Sequence, residues 1–126
     1  MQNYKNLSVW QKAHRLAVDV YLLTEGFPSN EIYGLTSQMR RCSVSIPANI
    51  AEGCGRNGKA ELSRFLHIST GSACELEYYL LLAGELHYIS ESQSNLFNEK
   101  VTEIKRMISS LTTTVKASNA LSNNAN

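Results

Sequence analysis

At 126 residues with a formal net charge of +1, the chain is long enough for one self-sufficient core and too close to neutral to attract polyanions by bulk charge. Apolar residues make up 43% and charged residues 18%, the balance of a globular domain rather than of a disordered or membrane-embedded chain. No run approaches the ~20 apolar residues of a membrane span, and the opening MQNYKNLSVW has no apolar signal-peptide core, so a cytoplasmic location is expected.

Residues 1–7 read as an extended lead-in, with Ser8 as N-cap of a first helix. Val9, Ala13, Leu16, Val20, Leu23 and Phe27 alternate at four and three residues, and Trp10, Ala17 and Tyr21 widen that stripe. Gly26 and Pro28 end the helix in a turn, Phe27-Pro28-Ser29-Asn30. A second helix follows over Leu35–Gly55, with Pro47 in its interior. An interior proline costs about 3 kcal/mol in an isolated helix, so packing has to hold it. Leu35, Met39, Cys42, Ile46 and Ile50 make one apolar stripe; Val44, Ala48, Ala51 and Gly55 make a second, small and apolar, on another face. A helix covered on both faces needs a neighbour outside its own bundle, so Val44, Ala48 and Ala51 are expected at a subunit interface.

The second helix ends at Gly53-Cys54-Gly55-Arg56-Asn57-Gly58, whose glycines disfavour continuation. A third helix opens near Lys59. Leu62, Leu66, Ala73, Leu76, Leu80 and Ala83 line one face, with Phe65, Ile68, Tyr79, Leu82 and Leu86 beside it. Gly71, amid the small residues Ser69 to Cys74, costs about 1 kcal/mol against alanine and implies a close approach by another backbone, with the region of Pro47 as the natural partner. Ser92 or Ser94 caps a fourth helix carrying the heptad Phe97, Val101, Ile104, Ile108, Leu111 and Val115. No segment alternates as a strand does. The expected fold is all-α, an antiparallel up-down-up-down four-helix bundle over 1–116, followed by a disordered polar tail over 117–126.

Chemistry is sparser. Gly53-x-Gly55-x-x-Gly58 matches a dinucleotide fingerprint by letter, but it follows a helix and lacks the strand that motif requires. It reads as an inter-helix turn, with Arg56 and Lys59 flanking a helix N-terminus whose free N–H groups suit a phosphate. Arg40, Arg41, Arg56, Lys59 and Arg64 are the candidate nucleic-acid contacts; pairing of the corner cations with Glu52 and Glu61 is the structural alternative. Asn49 and Glu52, three apart beside the core stripe, need partners if buried, and Ser45, His67 and Ser72 would complete a polar network fixing helix register. Gln11, Arg64 and Gly84 stand three residues before His14, His67 and His87, so the Glu-x-x-His pattern of bundle metal sites is missing. No catalytic residue, metal, cofactor or small-molecule substrate is assigned. Cys42, Cys54 and Cys74 are expected as free thiols, mostly buried.

Charge is unevenly placed. Residues 1–64 hold eight Lys/Arg against five Asp/Glu, 65–99 hold five Glu with no Lys or Arg, and 100–126 hold four basic residues against one acidic. That distribution fits a molecule with unlike ends.

Taken together, Leu7-x-Val9-Trp10-Gln11-Lys12-Ala13, Phe27-Pro28, Gly34-Leu35-Thr36-x-Gln38-x-x-Arg41, Ser45-Ile46-Pro47-x-Asn49-Ile50-Ala51-Glu52-Gly53, Arg64-Phe65-Leu66 and Gly71-Ser72-x-x-Glu75-Leu76 resemble the proteins encoded within intervening sequences of bacterial 23S rRNA genes. The resemblance runs over about residues 4–115; Cys42 and Cys54 depart from it, standing where those proteins usually have alanine and a bulky residue. It implies a four-helix bundle assembled as a homo-oligomeric ring, typically a pentamer, and RNA or ribonucleoprotein is the partner expected for this chain. A related branch resembles the accessory proteins of diversity-generating retroelements, which bind nucleic acid and reverse transcriptase through a basic surface; for this chain, a protein-interaction scaffold without direct nucleic-acid contact, for example a reverse-transcriptase accessory factor, is the alternative role.

Overall fold

The computed structural model describes residues 3–125, and side chains up to Ser118. Its long helices are α1 (Ser8–Thr24), α2 (Leu35–Gly55), α3 (Lys59–Glu85) and α4 (Glu91–Ala125), with short 3-10 turns at Tyr4–Asn6 and Ser29–Glu31. There is no strand among the described residues. Neighbouring helices pack in opposite chain directions. Lys12 pairs with Glu103 and Asp19 with Lys100 across α1 and α4. Between α2 and α3, Ser45 meets Ser72 while Gly53 abuts Phe65. Glu77 holds Lys105 between α3 and α4. This is a four-helix bundle.

The apolar stripes explain the arrangement. Val9, Ala13, Leu16 and Val20 of α1, Leu35, Met39, Cys42, Ile46 and Ile50 of α2, Leu66, Ala73, Leu76, Leu80 and Ala83 of α3, and Phe97, Val101, Ile104, Ile108 and Val115 of α4 share one buried cluster. In proteins most helical stability comes from tertiary packing of an apolar face, and burying those stripes supplies it here. No described helix is long and apolar enough to cross a membrane.

The helix ends differ from expectation in instructive ways. Ser8 is the first residue of α1 rather than its cap; Leu7 occupies the N-cap position without a side-chain bond. The α4 cap is Ser90, not Ser92 or Ser94. Its Oγ accepts from the Gln93 backbone N–H at 3.1 Å, and Gln93 Oε1 accepts from the Ser90 N–H at 2.8 Å, a reciprocal capping box. Glu31 serves two elements: Oε1 accepts from the Leu35 N–H at the start of α2, and Oε2 accepts from the Tyr88 hydroxyl at 2.9 Å. That bond holds the Tyr88 hydroxyl proton and raises its pKa. α4 runs beyond Lys116, where the domain was expected to end; the tail over 117–126 includes side chains from 119 onward that lie outside the described ones.

α2 continues as a helix through Pro47, which is buried. The Ser69 hydroxyl of α3 donates to the Ile46 carbonyl, one residue before the proline, at 2.9 Å. Gly71 is not the partner of this region. It is exposed, and a Cβ placed on it meets nothing within 4 Å. The close approach falls instead at Gly53, where a Cβ would lie 2.9 Å from the Phe65 Cβ and 3.0 Å from Leu62 Cδ1.

All three cysteines are free; Cys42 and Cys54 are buried and Cys74 is exposed. Burial, helped by the charge of Glu75, pushes the Cys42 thiol up to about 12, and burial also raises Cys54. Because the thiolate is the nucleophile, a maleimide at neutral pH should label Cys74 alone in the folded protein and all three thiols after denaturation. Mass spectrometry of the adducts checks this, and early labelling of Cys42 would contradict the packed α2–α3 seam.

Candidate functional site

The five cations singled out in the sequence do not form one patch. Arg40 stands 16 residues before Arg56 on α2, about 24 Å along a helix rising 1.5 Å per residue. Arg40 is engaged by the end of α1: its Nε donates to Thr24 Oγ1 at 2.9 Å, its Nη2 to the Tyr21 carbonyl at 3.3 Å, and its guanidinium lies 4.7 Å from the Tyr21 ring centroid. Thr24, a buried polar residue, passes its own proton to the Val20 carbonyl. Arg40 is therefore a clasp between α1 and α2. Its exposed neighbour Arg41 is at the same end of the bundle.

Arg56, Lys59 and Arg64 do converge, at the α2–α3 corner. The Arg64 and Arg56 guanidinium carbons stand 4.5 Å and 5.2 Å from the centroid of Phe65, a ring only 8% exposed. Each arginine also meets a carboxylate close by in the chain: Arg56 Nη2, just past the end of α2, to Glu52 at 3.3 Å, and Arg64 Nε to Glu61 at 2.8 Å. The hydrogen bond from Arg64 holds the Glu61 carboxyl below its ordinary pKa. Both pairs are largely open to water, where ion pairs contribute little to stability and yield readily to another anion. Lys59 Nζ donates to Ser118 Oγ, which brings the end of α4 to this corner. Gly58, at φ +88° with open space around it, gives the chain the left-handed turn that starts α3.

Antiparallel packing gathers charge by bundle end. Lys5 before α1, the α2–α3 corner and Lys116 of α4 belong to one end, with Glu52 and Glu61. At the other end are Glu25, Glu31, Glu85 and Glu91, with Arg40 and Arg41.

Of the polar set expected on α2 and α3, the structure brings three members together. Ser45 and Ser72 share a hydrogen bond of 2.8 Å across the helices, and Asn49 Nδ2 donates to the Ser45 carbonyl at 2.8 Å and to its Oγ at 2.9 Å. Glu52 and His67 are exposed and stand outside this set, Glu52 being turned to Arg56. The difference is one of helical phase: Asn49 is one turn from Ser45, whereas Glu52 has rotated toward solvent. Among the described residues, no three His, Cys, Asp or Glu side chains gather as a metal site would require.

The second α2 stripe is open in the single chain. Val44 is 42% exposed, Ala48 is exposed and Ala51 half-buried. Beside it, His14, Ala17, Val18 and Tyr21 of α1 with Val44 and Pro47 of α2 line an apolar groove of about 430 Å³. Sequence reasoning marked the α2 half through its small-residue spacing. It missed Val18, which lies off the main α1 stripe, and placed Tyr21 inside the bundle rather than on this face.

The crystal structure of a protein of unknown function from the S23 ribosomal protein family of Bacteroides thetaiotaomicron VPI-5482 superposes with a TM-score of 0.77 at 28% identity, covering 83% of this chain and 95% of that one. No curated protein matches. The family model for the 23S rRNA-intervening sequence protein matches residues 5–110, from the 3-10 turn before α1 into α4. With α2, its buried proline and the α2–α3 corner inside the matched span, the chain belongs to the 23S rRNA-intervening sequence protein family.

Proposed function

We propose that this chain is a non-enzymatic, cytoplasmic helical protein that assembles as a homo-oligomeric ring, a pentamer by family resemblance, and uses its basic end to contact RNA phosphates. The observation that carries the reading is the segregation of charge. Lys5, Arg56, Lys59, Arg64 and Lys116 belong to one end of the bundle against Glu52 and Glu61. In a cyclic assembly with its axis along the helices, every copy presents that end on the same side. The open α1–α2 face supplies the apolar surface such a ring would bury. The polar groups of α2 and α3 support a role other than catalysis, since Ser45, Asn49 and Ser72 satisfy one another.

One subunit offers roughly two or three phosphate contacts, too few for useful affinity at physiological salt. A ring multiplies them, so avidity provides the binding. Filter binding of single-stranded RNA at two salt concentrations tests this. The parent protein should retain RNA less well as salt rises, by about 0.7 logarithmic units per phosphate for each tenfold increase. Arg56→Ala with Lys59→Ala should weaken retention of all sequences alike while the mass by light scattering stays that of the oligomer, because phosphate contacts position without specifying. Ala48→Glu should break the ring, keep the helical circular dichroism, and lose RNA by losing avidity. A 14.0 kDa particle in the parent, or RNA retention indifferent to salt and to the double substitution, overturns the proposal. An intact ring without RNA retention would instead describe a protein-interaction scaffold.

A further inference from the structure

A second surface lies on the side of the bundle formed by α3 and α4. Two open hollows, of about 850 Å³ and about 460 Å³, share Leu81 and Asn98 and so form one groove, running from Ile89 at the α3–α4 connection down to Cys74. Along α3 the groove runs from Cys74 to Glu85, about 16 Å. It carries exposed apolar side chains: Tyr78 is 57% and Leu81 56% exposed. Its rim is acidic. Glu85 and Glu91 line the upper part and Glu77 the lower, where Lys105 of α4 pairs with Glu77 at 3.2 Å. Neither hollow is lined by a lysine or arginine among the described residues, and none occurs anywhere in 65–99.

We infer that this groove docks a cationic amphipathic helix of a partner protein, its apolar face on Tyr78 and Leu81 and its lysines or arginines on Glu85 and Glu91. Charge complementarity selects the occupant. The carboxylates repel nucleic acid, so this surface is separate from the basic end and does not rest on the RNA reading. A cleft between two helices receives a third by the packing of ridges into grooves, and a groove that offers apolar side chains between charged ones suits an amphipathic helix. A second copy of this chain is a poorer occupant. Its helix α4 already buries its apolar stripe, Phe97, Val101, Ile104 and Ile108, in its own core.

The test uses two peptides of roughly twelve residues, three helical turns, with leucine at i, i+3, i+4 and i+7. One carries lysine at the remaining positions and its twin glutamate. Binding to the full-length protein is read by fluorescence anisotropy, and its location by the methyl resonances of Leu81 and Ile89. The lysine peptide should bind, shift those methyls and weaken as salt rises, and the glutamate twin should bind at least about tenfold less well. Leu81→Asp should cost about tenfold in affinity. Glu85→Gln with Glu91→Gln should weaken binding several-fold and flatten its salt dependence; this pair carries the test should Leu81→Asp disturb the helical circular dichroism. Equal binding of the twins, methyl shifts elsewhere, or unchanged affinity in the variants overturns the inference. A change of oligomeric mass in Leu81→Asp also overturns it, by making a second copy the occupant.

Discussion

Replacing Gly53 with leucine should lower the unfolding free energy by about 3 kcal/mol, while Gly71→Ala should raise it by about 0.5–1 kcal/mol. Both glycines are helical, and both forgo the propensity that alanine would add. They differ in what stands opposite. A Cβ on Gly53 would lie 2.9 Å from a Cβ, that of Phe65, which cannot swing aside because it is fixed to the α3 backbone. The helices would have to part, loosening a ring that also carries Arg56 and Arg64. Around Gly71 there is only open space, so alanine there removes unfolded-state freedom at no steric cost. Urea denaturation at one fixed protomer concentration reads both changes, fixed because assembly adds to apparent stability. A stable Gly53→Leu protein would mean that α2 and α3 do not approach at the corner as described.

Leu76→Ala should cost about 2–5 kcal/mol, and Leu81→Ala, five residues further along the same helix, less than about 0.5 kcal/mol. Leu76 is fully buried in the cluster to which all four helices contribute, whereas Leu81 is 56% exposed. Removing Leu76 leaves a cavity that its neighbours close only in part. Its loss consumes a large fraction of the roughly 5–15 kcal/mol that keeps a domain folded. A near-unchanged stability of Leu81→Ala would mean that loss of peptide binding on substituting Leu81 reports on docking rather than on folding. Guanidinium midpoints of the two variants, with the slopes checked for a change in two-state behaviour, decide the matter.

The sequence by itself determined the helices and the faces they bury, because both follow from local periodicity. Residues three and four apart share a face whatever the rest of the chain does, so Leu35, Met39, Cys42, Ile46 and Ile50, or Phe97, Val101, Ile104 and Ile108, announce their burial. The small stripe Val44, Ala48, Ala51 was legible for the same reason, and so was the turn at Gly58. Tertiary structure decided what depends on residues far apart in the chain. Which glycine marks a close approach depends on the opposing helix, so Gly53 and not Gly71 faces Phe65. Whether an arginine is available depends on its partner: Arg40 is held by Thr24, sixteen positions earlier, while Arg56 and Arg64 meet over one ring. Glu52 and His67 share a neighbourhood in the sequence with Asn49 and Ser72, yet a fraction of a helical turn sends them to water. The acidic α3–α4 groove exists only because two helices lie side by side, bringing Leu81 and Asn98 to one cleft. Periodicity assigns a residue to a face of its own helix, and only packing determines which neighbour, if any, that face meets.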